Sequence, residues 1–292
     1  MKKTLAWFTA AVLALSLTAC GTAAPAPAQS ETKPAQSETT PAQSAADTAL
    51  SGKVSTGGST SVEKVIGALS EAFMQQNAGV SVTYDPTGSG AGITGATDGT
   101  LDIGLSSRAL KENETGLTAT VFALDGIAII VNKENKVADL TREQIAKIAK
   151  GEIKNWSEVG GTDGEIVFYG REAGSGTRDG FESILGVADA CVYTEELTAT
   201  GAVIGKVQSN ANAIGYASLA SVDEKVNTVK VDGILPTEAT VQDGSYKIQR
   251  PFVFVTKDGA AQSKETAAFI AFASGKDAAE IIANAGAVPI VK

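Results

Sequence analysis

The chain has 292 residues, 43% of them hydrophobic, and its 24 Lys and Arg against 33 Asp and Glu give a formal charge of −9. This acidic balance disfavours nucleic acid and other polyanions as partners, although local donors can still hold a small anion. No histidine is present in the sequence, which removes the commonest general base and metal ligand. We therefore predict a binding protein rather than an enzyme, without a metal site or a cofactor.

The first 19 residues have the pattern of a bacterial lipoprotein signal peptide. Lys2 and Lys3 precede an apolar run from Leu5 to Leu17, which is too short to span a membrane. The ending Leu17-Thr-Ala-Cys20 resembles a lipobox, and the resemblance implies that Cys20 becomes the lipid-modified N-terminus of the mature chain. An ordinary signal peptide with an incidental cysteine is the alternative. Loss of the two lysines would change the formal charge from −9 to −11.

Residues 20–49 are predicted to form a lipid-anchored, disordered tether. Ala, Pro, Gln, Ser, Thr and Glu dominate, and a seven-residue repeat begins at Pro27, Pro34 and Pro41. A coiled coil is disfavoured because every repeat starts with proline and has no apolar pair at the a and d positions. About 29 residues of flexible coil span on the order of 30 Å, enough to hold a folded domain clear of a membrane surface.

The folded part opens with two units of strand, Gly/Ser-rich turn and helix. In chain order they are a strand at 54–55, a turn at 56–61, a helix at 62–76, a strand at 80–84 and a turn with a short helix from 87. Ligands bind at the carboxyl ends of strands in open α/β sheets, so both turns are candidate ligand contacts. Thr60 and Glu63 also have the spacing of a capping box, which is the structural alternative for the first turn.

A third turn carries the clearest anion-binding pattern in the chain. The stretch Tyr169-Gly-Arg-Glu-Ala-Gly-Ser-Gly-Thr-Arg178 lies between a strand-like run at 165–169 and a helix-like run at 181–185. Such a turn aims free backbone N–H groups at an anion, and the helix dipole adds partial positive charge. With Ser175 as N-cap, the N3 position holds Arg178 instead of the Glu or Gln of a capping box. The pattern predicts a site for a small tetrahedral oxyanion.

The remaining elements continue the alternation of strands and helices, which predicts an α/β fold. Strands are predicted at 101–105, 122–131, 213–216, 228–231 and 247–255, and helices at 141–150, 200–209, 262–274 and 278–285. The helix at 141–150 is expected to have Asp139 or Thr141 as its N-cap. The run at 122–131 is about ten residues long with a charge inside, so it predicts a central strand and not a membrane span. Cys191 has apolar neighbours and is predicted to be packed rather than reactive.

Six segments that occur in this order together resemble a known family. They are Gly58-Ser-Thr-Ser61, Thr87-Gly-Ser-Gly90, Asp102-Ile-Gly-Leu-Ser-Ser-Arg108, Gly151-Glu-Ile-Lys-Asn-Trp156, Arg171-Glu-Ala-Gly-Ser-Gly-Thr-Arg178 and Ala213-Ile-Gly-Tyr216. From 50 to 292 the chain is similar to the phosphate-binding subunit of the high-affinity phosphate ABC importer, in its lipoprotein form. The resemblance implies a type II periplasmic-binding-protein fold, with two α/β lobes joined by two crossover strands. Lobe I is expected at 50–130 and 252–292, lobe II at 131–251, with the crossovers near 129–131 and 250–253.

The resemblance also implies which residues contact phosphate. The expected contacts are Thr60, Ser61, Ser89 and Ser107 from the first lobe and Arg171, Ser175, Gly176 and Thr177 from the second. Arg178 is expected either to add a second charge at the ligand or to pair with Glu182 on its own helix. Many family members have an aspartate at the position of Ser107 that accepts the phosphate proton, and another at the position of Ala173 that braces the arginine. Both are absent here, which weakens the sequence basis for discrimination against sulfate.

The function implied by the resemblance is capture of inorganic phosphate and its delivery to the transmembrane subunits of an ABC permease with a cytoplasmic ATPase. The protein is expected to be a monomer held by the lipid on Cys20 at the outer face of the bacterial cytoplasmic membrane, with no nucleic-acid partner. A binding protein for sulfate, molybdate or tungstate, and a phosphate sensor or adhesin on the same scaffold, are the alternatives. A phosphohydrolase is disfavoured because the sequence lacks histidine, clustered carboxylate metal ligands and a Walker lysine.

Overall fold

The structure is a computed structural model that describes residues 49–290. The predicted signal peptide, Cys20 and the tether up to residue 48 lie outside the described residues. None of the helices in 49–290 combines the length and the apolar character that a membrane crossing requires.

The described residues form a series of strands and helices in which parallel strands alternate with helices in each half of the chain. The strands are β1 (Ser51–Gly58), β2 (Gly79–Asp85), β3 (Ile103–Ser106), β4 (Leu117–Val131), β5 (Asp139–Leu140), β6 (Val167–Arg171), β7 (Glu195–Leu197), β8 (Ala213–Ser218), β9 (Asn227–Thr228), β10 (Lys230–Val231), β11 (Gln249–Lys257) and β12 (Val288–Pro289). The helices are α1 (Glu63–Gln76), α2 (Ser89–Asp98), α3 (Arg142–Ala149), α4 (Gly176–Leu185), α5 (Thr200–Ser209), α6 (Glu238–Gln242), α7 (Lys264–Ala273) and α8 (Ala279–Asn284).

Most strands belong to one mixed sheet with the order β2-β1-β3-β11-β4-β8-β6-β7. At one end β1 runs parallel to β2 and β3, and at the other end β6 runs parallel to β7 and β8. Between these parallel ends, β4 and β11 run antiparallel to each other. The predicted two-lobed α/β class is thus confirmed. The first lobe is built on β1, β2 and β3 and the second on β6, β7 and β8.

Strand β4 links the two lobes by changing its partner along its length. Leu117 to Gly126 pair with β11, whereas Ile127 to Val131 pair with β8 of the second lobe. The partner of β4 thus changes at the junction of Gly126 and Ile127. Strand β11 returns the chain, and its Arg250 lies opposite Asp125 of β4.

Each lobe has its own aromatic core beneath its helices. In the first lobe, Phe122 and Phe254 stack with ring centroids 4.0 Å apart, and α1, α7 and α8 cover this core. In the second lobe, Phe181 of α4 stacks on Tyr216 of β8 with centroids 4.2 Å apart. Such a pair contributes about 0.5–1.5 kcal/mol beyond the burial of its area. Because each lobe packs around its own core, the turns at its strand ends are held in fixed positions.

Glycines, which have no side chain, let α2 lie directly on the strands beneath it. A Cβ on Gly104 of β3 would lie 2.3 Å from the Gly92 carbonyl oxygen, and a Cβ on Gly92 would lie 2.7 Å from the Gly58 Cα. Real Cβ atoms essentially never approach this closely, so a side chain here would push the helix away. The contact brings the first residue of α2, Ser89, to the carboxyl ends of β1 and β3.

The predicted elements are largely confirmed, with corrections at their ends. The first helix begins as a 3-10 turn at Thr60–Val62, and α4 begins at Gly176 rather than 181. Thr141 is the N-cap of α3, in a capping box with Gln144. The capping box suggested for Thr60 and Glu63 is wrong, because the Ser59 hydroxyl caps this turn by accepting from the Ser61 amide. The hydroxyl of Thr60 is thereby left for contacts with the other lobe.

Candidate functional site

The three Gly/Ser-rich turns end at one buried group of polar side chains between the lobes. We call this group the donor cluster, and none of its residues is more than 4% exposed. Its members are Ser59, Thr60, Ser61, Ser89, Ser107, Arg171, Thr177, Thr200 and Arg250. Buried polar groups require hydrogen-bond partners. This concentration of buried hydroxyl and guanidinium groups therefore indicates a binding site for a polar ligand.

The first lobe contributes a linked set of serine hydroxyls. Ser107 directly follows β3, and its hydroxyl accepts a hydrogen bond of 2.8 Å from the hydroxyl of Ser59 at the end of β1. The hydroxyl of Ser89, at the start of α2, accepts from the Ser107 amide at 3.1 Å. The ends of two neighbouring parallel strands and the start of a helix thus meet, as expected for an open α/β sheet.

Hydroxyl groups join the two lobes across the donor cluster. The Oγ of Ser61 lies 2.7 Å from Oγ1 of Thr177 and 3.0 Å from Oγ1 of Thr200, both from the second lobe. Thr60 Oγ1 lies 3.0 Å from the same Thr200 oxygen and accepts from its amide at 3.2 Å. In each hydroxyl pair either oxygen can donate, so these bonds can be exchanged for bonds to an anion.

Arg171 brings a fully buried guanidinium to this group from the end of β6. Its Nη1 donates to Thr200 Oγ1 at 3.1 Å, while Nε and Nη2 donate to the carboxylate of Glu172 at 3.0 and 2.9 Å. Glu172, the neighbour of Ala173, therefore braces the Arg171 guanidinium. The two bonds to the Glu172 carboxylate fix the orientation of the guanidinium, so that Nη1 faces the donor cluster in a defined direction.

The start of α4 lies close against the first lobe. Ser175 is its N-cap and accepts from the amide of Arg178 at 3.4 Å. A Cβ on Gly176 would lie 2.4 Å from Ser89 Oγ and 2.7 Å from Ser107 Oγ. The amides of Gly176 and Thr177 are the first of the helix and have no intrahelical acceptor, so they and the positive end of the helix dipole are available to an anion at this end of α4.

The structure does not bring the Arg178 guanidinium to the donor cluster. Its Nε donates to Glu182 at 2.8 Å, and its Nη1 lies 2.9 Å from a carboxylate oxygen of Glu196. The guanidinium also lies over the Tyr193 ring, 5.0 Å from its centroid. Pairing along its own helix, the alternative to a ligand contact, is the arrangement found, because two carboxylates and the Arg171 carbonyl oxygen hold the guanidinium.

Arg250 is a member of the cluster that sequence reasoning missed. Its Nη1 donates to Thr177 Oγ1 at 2.7 Å and to the Ser107 carbonyl oxygen at 3.2 Å. Its Nε and Nη2 donate to Oδ2 of Asp125 at 3.1 and 2.9 Å. Burial raises the pKa of Asp125, opposed by the charge of Arg250, and the Ser218 hydroxyl also donates to the carboxylate. The available signal was a charge inside each of two apolar strands, since buried charges need partners.

Thr200 was also missed, although it opens α5 and contacts Thr60, Ser61 and Arg171. Its local sequence gives no glycine-rich turn, so nothing distinguishes it from an ordinary helix start. Cys191 lies outside the cluster and is partly buried, and burial raises the pKa of its thiol to about 11, which disfavours the reactive thiolate. Among residues 49–290, no group of three or more acidic or cysteine side chains is placed to hold a metal ion.

Charged side chains also join the lobes beside the cluster. Arg108 follows Ser107, and its two Nη groups donate to the carboxylate of Glu114 at 2.7 Å each. Its Nε lies 2.7 Å from Oδ2 of Asp179 on α4, close enough for an ion pair but not aligned for a hydrogen bond. Lys111 lies 2.9 Å from the same Asp179 oxygen. These pairs stabilise contact between the lobes without adding a carboxylate to the donor cluster.

Two α/β lobes in contact over a buried group of donors define the class of a solute-binding protein. The PBP superfamily domain matches residues 38–276 of the chain. The Phosphate-binding protein PstS of Borreliella burgdorferi is 32% identical over 249 residues, which is 80% of this chain and 88% of the relative. The protein of the same name from Bacillus subtilis is 32% identical over 206 residues, 68% of each chain.

Solved structures give the same assignment. A putative phosphate ABC transporter substrate-binding protein with bound phosphate from Clostridium perfringens is 41% identical, with a TM-score of 0.79 over 82% of this chain and 100% of that chain. An ABC-type phosphate transport receptor from Vibrio cholerae is 36% identical, with a TM-score of 0.67 over 81% of this chain and 100% of that chain. The chain belongs to the PstS family of the PBP superfamily.

Proposed function

We propose that the protein captures inorganic phosphate between its two lobes and delivers it to an ABC permease for import. The relatives named above support this proposal, since their names specify phosphate binding and one solved structure holds phosphate. The observation that carries it is the buried bridge of hydroxyls across the lobes, in which Ser61 meets Thr177 and Thr200. A ligand in this position would replace contacts between donors with contacts from both lobes to itself.

The chemistry of the donor cluster suits a tetrahedral dianion. Phosphate oxygens are mainly acceptors, and the cluster offers hydroxyl hydrogens, the first amides of α4 and guanidinium groups. The proposed contacts are Thr60, Ser61, Ser89, Ser107, Arg171, Ser175, Gly176 and Thr177. We leave Arg178 out because its guanidinium is held by Glu182 and Glu196.

Phosphate is proposed to be carried and not chemically changed. The family is one of substrate-binding proteins for transport, which confirms the prediction that the chain is not an enzyme. Glu172 and Asp125, the carboxylates bonded to the two buried guanidiniums, are occupied by them. The site is therefore built to hold an anion by hydrogen bonds, and binding is converted into a contact between lobes that a permease can recognise.

Isothermal titration of the purified protein with phosphate, sulfate and molybdate tests the proposal. We expect phosphate to bind with a dissociation constant well below millimolar and more tightly than the other two anions. Ser61→Ala removes a hydroxyl that meets both second-lobe threonines and is expected to weaken phosphate binding roughly tenfold. Ser70→Ala is the matched control, because Ser70 is a buried serine of α1 whose hydroxyl has no partner within the described residues. Absence of phosphate binding in the wild type, or tighter binding of sulfate, contradicts the proposal.

Extracytoplasmic location follows from this function, and we propose a lipid on Cys20 as the anchor. The lobes, taken as 50–130 with 252–292 and as 131–251, would then face the permease as a monomer at the outer face of the cytoplasmic membrane. Cell fractionation of a Cys20→Ala variant is expected to move the protein from the membrane to the soluble or secreted fraction. Cys191→Ala is the control and is expected to remain with the membrane. Membrane retention of the Cys20→Ala variant contradicts the anchor.

A further inference from the structure

Arg250 stands apart from the other buried charges because it touches both lobes from the strand that joins them. It lies on β11, and its side chain is 2% exposed. One nitrogen, Nη1, reaches Thr177 of the second lobe and the backbone of Ser107 of the first. Thr177 and Ser107 are both proposed to contact phosphate. The guanidinium is therefore hydrogen-bonded directly to two residues that would touch the ligand.

The partner of Arg250 fixes which way its charge faces. Asp125 lies opposite on β4 and accepts from Nε and Nη2 through a single oxygen. The other carboxylate oxygen accepts from the Ser218 hydroxyl at 2.8 Å and the Ala220 amide at 3.4 Å. The carboxylate is thus occupied on the side away from the cluster. The guanidinium presents Nη1 to the cluster, and the pair is oriented with its positive end toward the ligand position.

Arg250 also holds the hydroxyl oxygen of Thr177. A threonine hydroxyl has one hydrogen and two acceptor lone pairs. Thr177 Oγ1 accepts from Arg250 at 2.7 Å, and its own hydrogen therefore stays available for another acceptor. Ser61 Oγ lies 2.7 Å from Thr177 Oγ1, and either oxygen of this pair can donate. The bond to Arg250 thus holds the Thr177 oxygen in place and leaves its hydrogen for an anion.

We propose that Arg250 is the second cationic residue of the phosphate site, acting on the ligand both by its charge and by holding the Thr177 hydroxyl in position. This inference rests on the proposed function of the same cluster. It assigns to Arg250 the second charge at the ligand, which was one of the two roles expected for Arg178, and it gives Asp125 the task of holding that charge in place. The site then has two inward-facing guanidiniums, each bonded to a carboxylate, as a dianionic ligand favours.

Titration calorimetry with inorganic phosphate tests the inference on two variants of Arg250, on a control variant and on a double variant described in the next paragraph. Arg250→Gln is expected to bind phosphate roughly 10- to 100-fold more weakly than the wild type. Arg250→Lys keeps the charge and is expected to recover a large part of that loss. Arg142→Gln is the control, since this half-exposed arginine pairs with Asp232 away from the cluster, and it is expected to bind within about twofold of the wild type.

A double variant separates the effect of Arg250 on phosphate affinity from its effect on the stability of the fold. Asp125→Asn with Arg250→Gln replaces a buried ion pair by two neutral amides and avoids an unpaired buried carboxylate. We expect its thermal unfolding to be closer to the wild type than that of Arg250→Gln, while its phosphate affinity remains low. Wild-type affinity in the double variant overturns the inference and leaves the proposed function standing. If the wild-type protein itself does not bind phosphate, the proposed function fails, and the inference fails with it.

Discussion

Gly176 shows at the scale of one residue how the two lobes come into contact. It is the first residue of α4, and a Cβ in its place would fall 2.4 Å from Ser89 Oγ of the other lobe. The glycine is required here by the close approach of a helix terminus to two serines, since its backbone has an ordinary helical conformation. The same approach places the first helix amides beside Ser107.

Gly176→Ala is predicted to weaken phosphate binding while leaving the separate lobes folded. Overpacking of this kind costs about 1–3 kcal/mol, which corresponds to roughly 5- to 140-fold in affinity if the cost falls on contact between the lobes. The measurement is titration calorimetry together with thermal unfolding. Gly67→Ala is the control, because a Cβ there meets nothing within 4 Å. Unchanged affinity in Gly176→Ala would show that the lobes do not need this approach.

At the scale of elements, β4 and β11 carry the connection between the lobes and also a buried ion pair. Asp125 and Arg250 lie opposite each other in the register of these strands, close to the point where β4 changes partner. The side chain of Asp125 is 0% exposed. A buried pair of this kind contributes little net stability when intact, but loss of one member leaves an uncompensated charge in the interior.

Asp125→Ala is predicted to lower the free energy of unfolding by about 3–5 kcal/mol, because it leaves the Arg250 guanidinium buried without its carboxylate. Urea unfolding followed by circular dichroism measures the change. Asp98→Ala at the exposed end of α2 is the control and should alter stability by less than about 0.5 kcal/mol. A loss below about 1 kcal/mol in Asp125→Ala would mean that water or another group satisfies Arg250.

Long periodic elements and glycine-rich turns could be predicted from the sequence, because their causes are local. The bounds of α5 at Thr200–Ser209 are as predicted, since apolar residues at helical spacing define it. Strands of two or three residues, such as β5 and β12, and the five-residue α6 are too short to show a period. Their positions depend on pairing with distant parts of the chain.

The candidate site divides in the same way. Ser61, Ser107 and Arg171 lie in turns whose composition already indicates an anion, and the structure brings them to the same buried cluster. Arg250 pairs with a residue 125 positions away, so no local pattern marks it as part of this site. Contacts set by tertiary folding alone are therefore the part of the site that the sequence could not supply.

At the scale of the whole molecule, charged groups beside the cluster make the contact between the lobes sensitive to acid. Arg108 connects Glu114 of the first lobe with Asp179 of the second. Hydrogen bonds from Arg108 lower the pKa of Glu114 below its ordinary value of 4.5. Because the folded pKa is below the unfolded one, this stabilisation is complete at pH values above the ordinary one and is lost as the pH falls through the lowered value.

Glu114→Gln is predicted to lower the free energy of unfolding by about 1 kcal/mol at neutral pH. Below the lowered pKa of Glu114 the variant and the wild type should become equally stable, because the wild-type carboxyl is then neutral too. Thermal unfolding of the variant and the wild type between pH 3 and pH 7 measures the stability difference at neutral pH and its disappearance at low pH. Glu112→Gln at an exposed position is the control. A stability difference that stays constant with pH would contradict this role for the Glu114 carboxylate.

The central claim is that phosphate lies in the donor cluster and is held by both lobes at once. A crystal structure of the protein grown with phosphate tests it most directly. The account predicts a tetrahedral anion within hydrogen-bonding distance of Ser61 from the first lobe and of Thr177 and Arg171 from the second. Phosphate bound elsewhere, or bound to one lobe only with Ser61 and Thr177 still bonded to each other, would contradict the claim.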